Sequence, residues 1–190
     1  MNKNCPVVSV IIPCRNEKNY IIRCIDSVLT SNYCGDMEMI VVDGLSDDGT
    51  HEMLSELEAR IDCLKVFDNP EKIAPIAMNI GIRAAQGEVV IILGAHCEIA
   101  TEYIQKVVDS LMSSKSIGCA GGRTVAKTVG FLPQVFAAVL SSTFGVGNSY
   151  FRIPGKIVRE VDTVAFGAYR KDIFEEIGGF DRSEERRVGK

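Results

Sequence analysis

The chain predicts an α/β domain built on a mostly parallel sheet with helices on both faces. Three observations carry that expectation. Short runs rich in β-branched residues alternate with amphipathic helical patterns from Val7 to Ala120, the order expected of strands joined by crossover helices. One run, from Val89 to Leu93, is apolar throughout and bounded by Gly87 and Gly94, as in a strand buried on both faces. Polar residues follow the apolar runs directly, and the carboxyl ends of strands are where open α/β sheets place their ligands.

Taken in order, residues 7–12 (VVSVII) form a first strand closed by Pro13, with the polar group Arg15, Asn16 and Glu17 in its loop. Ile21, Cys24, Ile25, Val28 and Leu29 recur at helical spacing, so 20–29 is an amphipathic helix that needs a sheet to cover. Residues 39–42 make a second strand ending in Asp43. The turn-rich DGLSDDGT (43–50) follows, and either Asp48 or Thr50 is expected to cap the helix carrying Met53, Leu54 and Leu57. Residues 64–67 are a third strand, and Asp68-Asn69-Pro70 a turn. A helix over 76–85 stops at Gly87. The buried strand comes next, then a helix from Thr101 to Met112 with Tyr103, Ile104, Val107, Val108 and Leu111 on one face, and a fifth strand at 117–120. Residues 123–154 are irregular, with Gly130, Gly145 and Gly147 as loop signals. Residues 161–166 read as a strand outside the parallel set, and 171–177 as a short helix ended by Gly178-Gly179. No repeat or linker divides the chain, so 1–181 is expected to be one domain and 182–190 an atypical charged tail.

Composition narrows the class. With 46% hydrophobic and 24% charged residues the chain can build an ordinary core, and a net charge of −4 argues against nucleic acid as a partner. Seven cysteines, an odd number without a CxxC pair, read as reduced thiols of a cytoplasmic protein. The amino terminus lacks a sustained apolar leader. The longest apolar window, 131–146, is interrupted by Pro133 and Gln134 and is shorter than the ~20 residues of a membrane span; it reads as a surface or membrane-facing helix.

Carboxylates at successive strand ends are the chemical theme: Glu17, Asp43 and Asp48, then Glu98. A parallel sheet brings these to one edge, where they repel one another unless they hydrogen-bond a ligand or face a cation. Mg²⁺ or Mn²⁺ bridging a diphosphate suits such oxygen ligands. Asp43 and Asp48 serve equally well as turn and cap residues without a ligand. Arg15 and Arg83 are candidates for phosphate pairing, with simple solvation the commoner fate of a lone arginine. His96 is either a loop histidine or a metal ligand. His51, without a partner in its own motif, is expected to be structural.

Five blocks together resemble the family 2 glycosyltransferases of the GT-A fold: VSVIIPCRNE (8–17), VVDGLSDDGT (41–50), the stretch from Asn79-x-Gly81 to Gly87-Glu88, IILGAH (91–96) and FGAYRKDIFEEIGGFD (166–181). Their order and spacing hold to Asp181, and the pattern is most similar to the bacterial exopolysaccharide branch related to succinoglycan biosynthesis, whose metal motif reads Asp-x-His. The resemblance implies a Rossmann-like fold and a hexosyltransferase-type enzyme. Such an enzyme moves a sugar from a nucleoside-diphosphate donor, commonly UDP, to an acceptor hydroxyl with inversion. The acceptor is expected to be a saccharide or lipid-linked saccharide, and the setting cytoplasmic, at the inner face of the plasma membrane, with the full-length protein membrane-associated. By motif position, Pro13 and Glu17 line the nucleotide pocket, Asp43 faces the base, Asp48 and Arg83 lie near the ribose and phosphates, and His96 ligates the metal.

Two departures stand out. Gly94 occupies the position of the metal motif's first acid, and Glu98 is the expected substitute. After GGFD the family's catalytic base does not follow; RSEERRVGK (182–190) does, so the base is expected beyond Asp181. A nucleotide-sugar binding domain without turnover is therefore the alternative. A sugar nucleotidyltransferase is disfavoured, because PCRNEKN carries no glycine for a phosphate loop.

Overall fold

The computed structural model describes residues 5–125, 160, 161 and 164–181. Its strands are β1 (Val8–Cys14), β2 (Met37–Asp43), β3 (Leu64–Asp68), β4 (Val89–Ile92), β5 (Cys119–Gly122) and β6 (Ala165–Arg170). Its helices are α1 (Ile21–Leu29), α2 (Thr50–Glu58), α3 (Ala74–Ala84), α4 (Tyr103–Met112) and α5 (Asp172–Ile177). The expected helix at 131–146, most of the irregular 123–154 region and the 182–190 tail lie outside the described residues.

The strands form one six-stranded sheet in the order β3-β2-β1-β4-β6-β5. β1 is parallel to β2 and β4, and β2 to β3, whereas β6 is antiparallel to both β4 and β5. This is the mostly parallel α/β architecture the alternation implied. The central strands are buried on both faces, so they can be apolar at every position. Val8, Val10 and Ile12 of β1 and Val89 and Ile91 of β4 pack with α1 (Ile21, Cys24, Ile25, Val28), Leu54 of α2, and α4 (Ile104, Val107, Val108, Leu111). Ile11, Ile40, Val42, Val90 and Ile92 face the other way, onto Ala77, Ile82 and Ala85 at α3. The helix α3 lies very close there: a Cβ added at Gly81 would sit 2.3 Å from Ile11 Cγ2, so only glycine lets it settle on β1.

Ser9 is a buried polar residue of β1. Its hydroxyl donates to Glu38 Oε1 (2.6 Å) and accepts from the Gly87 N–H (2.8 Å), while the Gln86 N–H also reaches Glu38 Oε1 (2.6 Å). These bonds seat the end of α3 at the amino edge of the sheet.

Several expectations need correction. The fifth strand is shifted to Cys119–Gly122, and the last strand is Ala165–Arg170, not 161–166. Glycines at 121 and 122 hid the first; the second is positioned by pairing with β4 and β5 and not by its own pattern. The helix α2 takes Gly49 as its N-cap, in the left-handed conformation at φ 95°. Asp48 lies one residue earlier and accepts the Thr50 N–H (2.9 Å), so it does the capping from outside the helix. The cysteines are not all reduced: Cys5 and Cys34, separated by 29 residues, form a disulfide that ties the segment before β1 to the loop before β2. Cys14, Cys24, Cys63, Cys97 and Cys119 are free.

Candidate active site

The strand order reverses between β1 and β4, because β1 runs on to β2 and β3 on one side while β4 follows on the other. Such a switch point opens a crevice at the carboxyl edge. Here the crevice is a cavity of about 360 Å³ lined by Pro13 near the end of β1 and Glu17 after it, Gly94 and His96 after β4, Met78 of α3, and Phe166 of β6.

Two loops at this edge are laced together. The Asn16 N–H donates to Ser46 Oγ (2.8 Å), and the Asn16 side chain exchanges bonds with Asp47, Nδ2 to Oδ1 (2.9 Å) and Asp47 N–H to Oδ1 (3.0 Å). The Glu17 N–H donates to Thr50 Oγ1 (3.0 Å) and the Lys18 N–H to Asp48 Oδ2 (3.2 Å). Asn16 and Leu45 both hold positive φ, 56° and 52°, a strained conformation for residues with a side chain that is retained where surroundings over-determine it. The lacing therefore fixes where Glu17 and Asp48 stand. Hydrogen bonds from the Thr50 hydroxyl, then from the Thr50 and Lys18 backbones, hold the Asp48 carboxyl below its ordinary range.

Glu17 and His96 meet as the sequence implied. Glu17 Oε1 lies 3.2 Å from His96 Nδ1, with the imidazole 62% exposed and the carboxylate 21%. A carboxylate on Nδ1 fixes the ring and leaves Nε2 as the outward-facing nitrogen. Glu98 does not join them: its Oε1 is 3.7 Å from Arg23 Nε on α1. In the coil after His96 that carboxylate thus faces a cationic partner. At Gly94 an added Cβ would lie 3.1 Å from Phe166 Cε1 and 3.4 Å from Cys97 Sγ, so an acid there requires the Phe166 ring to give by a few tenths of an ångström.

Arg83 is also misplaced by the sequence reading. It is exposed in the last turn of α3, three residues before Gln86, whose N–H bonds Glu38 at the amino edge. That puts it on the opposite side of the sheet from Glu17 and His96, because a crossover helix returns to the edge where the next strand starts. Arg15 is exposed beside Gly44 at the correct edge.

Asp43 is fully buried and engaged within its own loop. Oδ1 accepts from Ser46 Oγ (2.5 Å), and Oδ2 accepts from the Ser46 N–H (3.2 Å) and faces His51 Nδ1 (3.1 Å). His51 thus has a partner in Asp43; the contact spans strand and helix, so no local motif announced it. Asp68, opposite Asp43 in the β2–β3 register, reaches His51 Nδ1 at 4.0 Å. Among the described residues, Asp43, His51 and Asp68 form the one group whose ligand atoms all lie within 4.8 Å of one another.

Asn79 is a residue whose task the sequence left unstated. Its Nδ2 donates to the Phe180 carbonyl (2.9 Å) and its Oδ1 accepts the Phe180 N–H (2.8 Å), which docks the GGFD turn on α3 and closes one wall of the cavity. Nucleophilic cysteine chemistry is not favoured here. Burial raises the thiols of Cys14 and Cys97 and pushes Cys24 up to about 12.

Fold and site together define an α/β domain with an open cavity at the switch point of its sheet, the place where folds of this class take their ligands. The chain belongs to glycosyltransferase family 2: the model of that family, described as glycosyl transferase family 2, matches residues 9–178. Among curated proteins it is 26% identical over 178 residues to the succinoglycan biosynthesis protein ExoA of Rhizobium meliloti, covering 92% of this chain and 53% of the relative. It is 24% identical over 176 residues to a dolichyl N-acetyl-alpha-D-glucosaminyl phosphate 3-beta-D-2,3-diacetamido-2,3-dideoxy-beta-D-glucuronosyltransferase of Methanococcus voltae, covering 89% and 54%. Among solved structures it resembles the mannosyltransferase PcManGT of Pyrobaculum calidifontis in complex with GDP-Man and Mn²⁺, at 25% identity and a TM-score of 0.68, covering 95% of this chain and 49% of that one. The S. aureus TarS 1-349 structure in complex with UDP, at 18% identity and a TM-score of 0.67 over 95% and 52%, shares the fold. The chain spans about half the length of these curated relatives. The GT-A fold and the place in a transferase family polysaccharide biosynthesis draws on are thereby shown.

Proposed function

We propose that this domain is the donor-binding part of an inverting glycosyltransferase that moves a hexosyl group from a nucleoside-diphosphate sugar, UDP being the expected carrier, to a hydroxyl of a saccharide or lipid-linked saccharide in cell-surface polysaccharide synthesis. The observation that carries this is the Glu17–His96 pair at 3.2 Å on the wall of the switch-point cavity. Pro13 and Glu17 line the pocket, Arg15 and Asp48 stand at its polar edge, and the nucleoside runs along the sheet edge toward Asp43. Catalysis requires a base to take the acceptor proton as its oxygen attacks the anomeric carbon opposite the departing diphosphate. In this reading that base lies beyond Asp181.

The cation, Mg²⁺ or Mn²⁺, fits in a limited way. His96 offers Nε2 with its ring already fixed by Glu17, which suits a metal-ligating histidine. Gly94 offers nothing and Glu98 is engaged by Arg23, so His96 would hold the ion with the substrate's diphosphate and water completing its sphere. When bound, such a cation neutralises charge on the leaving diphosphate. Placement is proposed at the cytoplasmic face of the plasma membrane; among the described residues no helix is long and apolar enough to cross one.

Calorimetry of UDP with and without Mn²⁺, run beside a UDP-release assay on UDP-sugars, tests the reading. Binding that falls tenfold or more in His96→Ala, with UDP release by the wild type, is the expected result. The second reading, binding without turnover, is favoured by Gly94, and UDP binding without any release would select it. Absence of nucleotide binding refutes both.

A further inference from the structure

With a diphosphate at Glu17 and His96, which follow β1 and β4, the cavity leaves space for the rest of a donor on its β6 side, since β6 is the next strand across. The walls there are apolar: Phe166 and Tyr169 of β6, Met78 of α3, and Phe180. Phe180 belongs to neither a strand nor a helix, so its ring needs another anchor. Asn79 of α3 supplies it. We propose that Phe180 is the wall against which the sugar of the donor lies, and that Asn79 is the positioning residue that holds it there. The inference rests on the reading of the cavity as a nucleotide-sugar site and names the part of that site that recognises the sugar.

The anchor has two points. Asn79 Nδ2 donates to the Phe180 carbonyl (2.9 Å) and Oδ1 accepts the Phe180 N–H (2.8 Å), so one side chain satisfies both backbone groups of a residue 101 positions away. The turn before Phe180 is shaped to receive it. Gly178 holds φ 83°, a conformation open to glycine. Gly179 is not among the positive-φ residues, and its need is spatial: an added Cβ would collide with Asn79 Oδ1. The Phe180 ring is packed in turn on Phe174 (centroids 5.9 Å apart), and Phe174 on Tyr169 (5.4 Å), tilted pairs at ordinary aromatic separations. A ring held this way offers a flat apolar surface to the C–H face of a pyranose, while Glu17 and His96 are left for polar groups. A nucleoside diphosphate without its sugar stops short of that wall. The clamp therefore acts on the sugar's share of binding and not on the nucleotide's.

Calorimetric titration of UDP, UDP-glucose, UDP-N-acetylglucosamine, GDP and GDP-mannose, with Mn²⁺ present, tests it on the wild-type chain, Phe180→Leu, Asn79→Ala, Gly179→Ala and the Asn79→Ala/Gly179→Ala double variant. The quantity read is the ratio of nucleotide-sugar affinity to the affinity for the bare nucleotide. Phe180→Leu is expected to cut that ratio about fivefold, the worth of one aromatic contact. Asn79→Ala and Gly179→Ala should each cut it by a similar factor. The double variant should lose no more than either single, because a methyl at position 179 has room once the Asn79 amide is gone. The thermal midpoint of each variant confirms folding, and Phe180→Leu, which keeps both clamp bonds, carries the test if a clamp variant does not fold. A ratio that stays unchanged in Phe180→Leu, or equal losses for nucleotide and nucleotide-sugar, overturns this inference and leaves the nucleotide reading standing. Additive losses in the double variant overturn the role of Asn79. Wild-type binding of nucleotides but of none of the nucleotide-sugars also overturns the inference, and failure to bind any of the five ligands overturns both readings.

Discussion

Restoring the missing acid at Gly94 is a sharp test of how this site is built. The backbone at Gly94 is not among the left-handed positions of the described residues, so Gly94→Asp meets contact and not torsional strain. Its Cβ would stand 3.1 Å from Phe166 Cε1, 3.6 Å from Phe166 Cζ and 3.4 Å from Cys97 Sγ, against a preferred carbon–carbon separation of roughly 3.5–4.0 Å. The ring must give way by a few tenths of an ångström, and it is not free to do so through its backbone. Phe166 sits at φ 52° and its carbonyl accepts from Tyr103 Oη (2.6 Å). Overpacking of this kind costs about 1–3 kcal/mol. Urea denaturation of Gly94→Asp, Phe166→Leu and the double variant measures the coupling, and Mn²⁺ titration reports whether the new carboxylate joins His96. The double variant is expected to recover stability relative to the sum of the singles by about 0.5–3 kcal/mol, the range for residues in contact, and to bind Mn²⁺ more tightly than either single. Additivity within about 0.5 kcal/mol would show that Phe166 does not hold that space and would refute the reasoning.

The Cys5–Cys34 bridge closes a separation of 29 residues, which by the chain-entropy relation is worth about 3.6 kcal/mol; denaturation with and without reductant, beside Cys34→Ser, should show a loss of that order. Gly81→Ala drives a methyl into Ile11 Cγ2 and should lower stability by about 1–3 kcal/mol in the same assay, whereas Ala84→Gly on that helix should cost only about 1 kcal/mol. The folded-state pKa of Asp48 is depressed, so its contribution is complete above the ordinary carboxyl range and is lost as pH falls through the lowered value. Thr50→Val, which removes the hydroxyl that bonds Asp48, should flatten the acid limb of a stability–pH profile.

The parallel core was legible because each strand and helix carried its own period. From β1 to α4 the boundaries shift only slightly, since Val89–Ile92 or the α1 stripe of Ile21, Cys24, Ile25 and Val28 declares its burial without help from distant residues. Glu17 and His96 were legible for a related reason: both follow strands that topology makes neighbours. What failed was chemistry fixed by contacts between elements. Arg83 was carried by helix direction to the far edge, and the contact of Glu98 with Arg23 of α1 had no signal in its own stretch. His51 gave no local signal, because its partners lie on β2 and β3. Strand β6 was misplaced because pairing with β4 and β5 defines it.

That strand has a consequence for how the chain is made. Residues of β6 are synthesised after those of β5, yet β6 lies between β4 and β5 and pairs antiparallel to both. β3, β2, β1 and β4 can zip together as soon as α3 and β4 have left the ribosome, with crossovers of modest length. β5 then has no neighbour to pair with, and β4 shows an open edge, until Ala165–Arg170 emerges. Closure of that loop is a long-range step of the kind that slows folding. The walls of the cavity that carry Phe166, Tyr169 and Phe180 therefore emerge last, and a nascent chain exposes Glu17 and His96 before it has the residues that enclose the pocket around them.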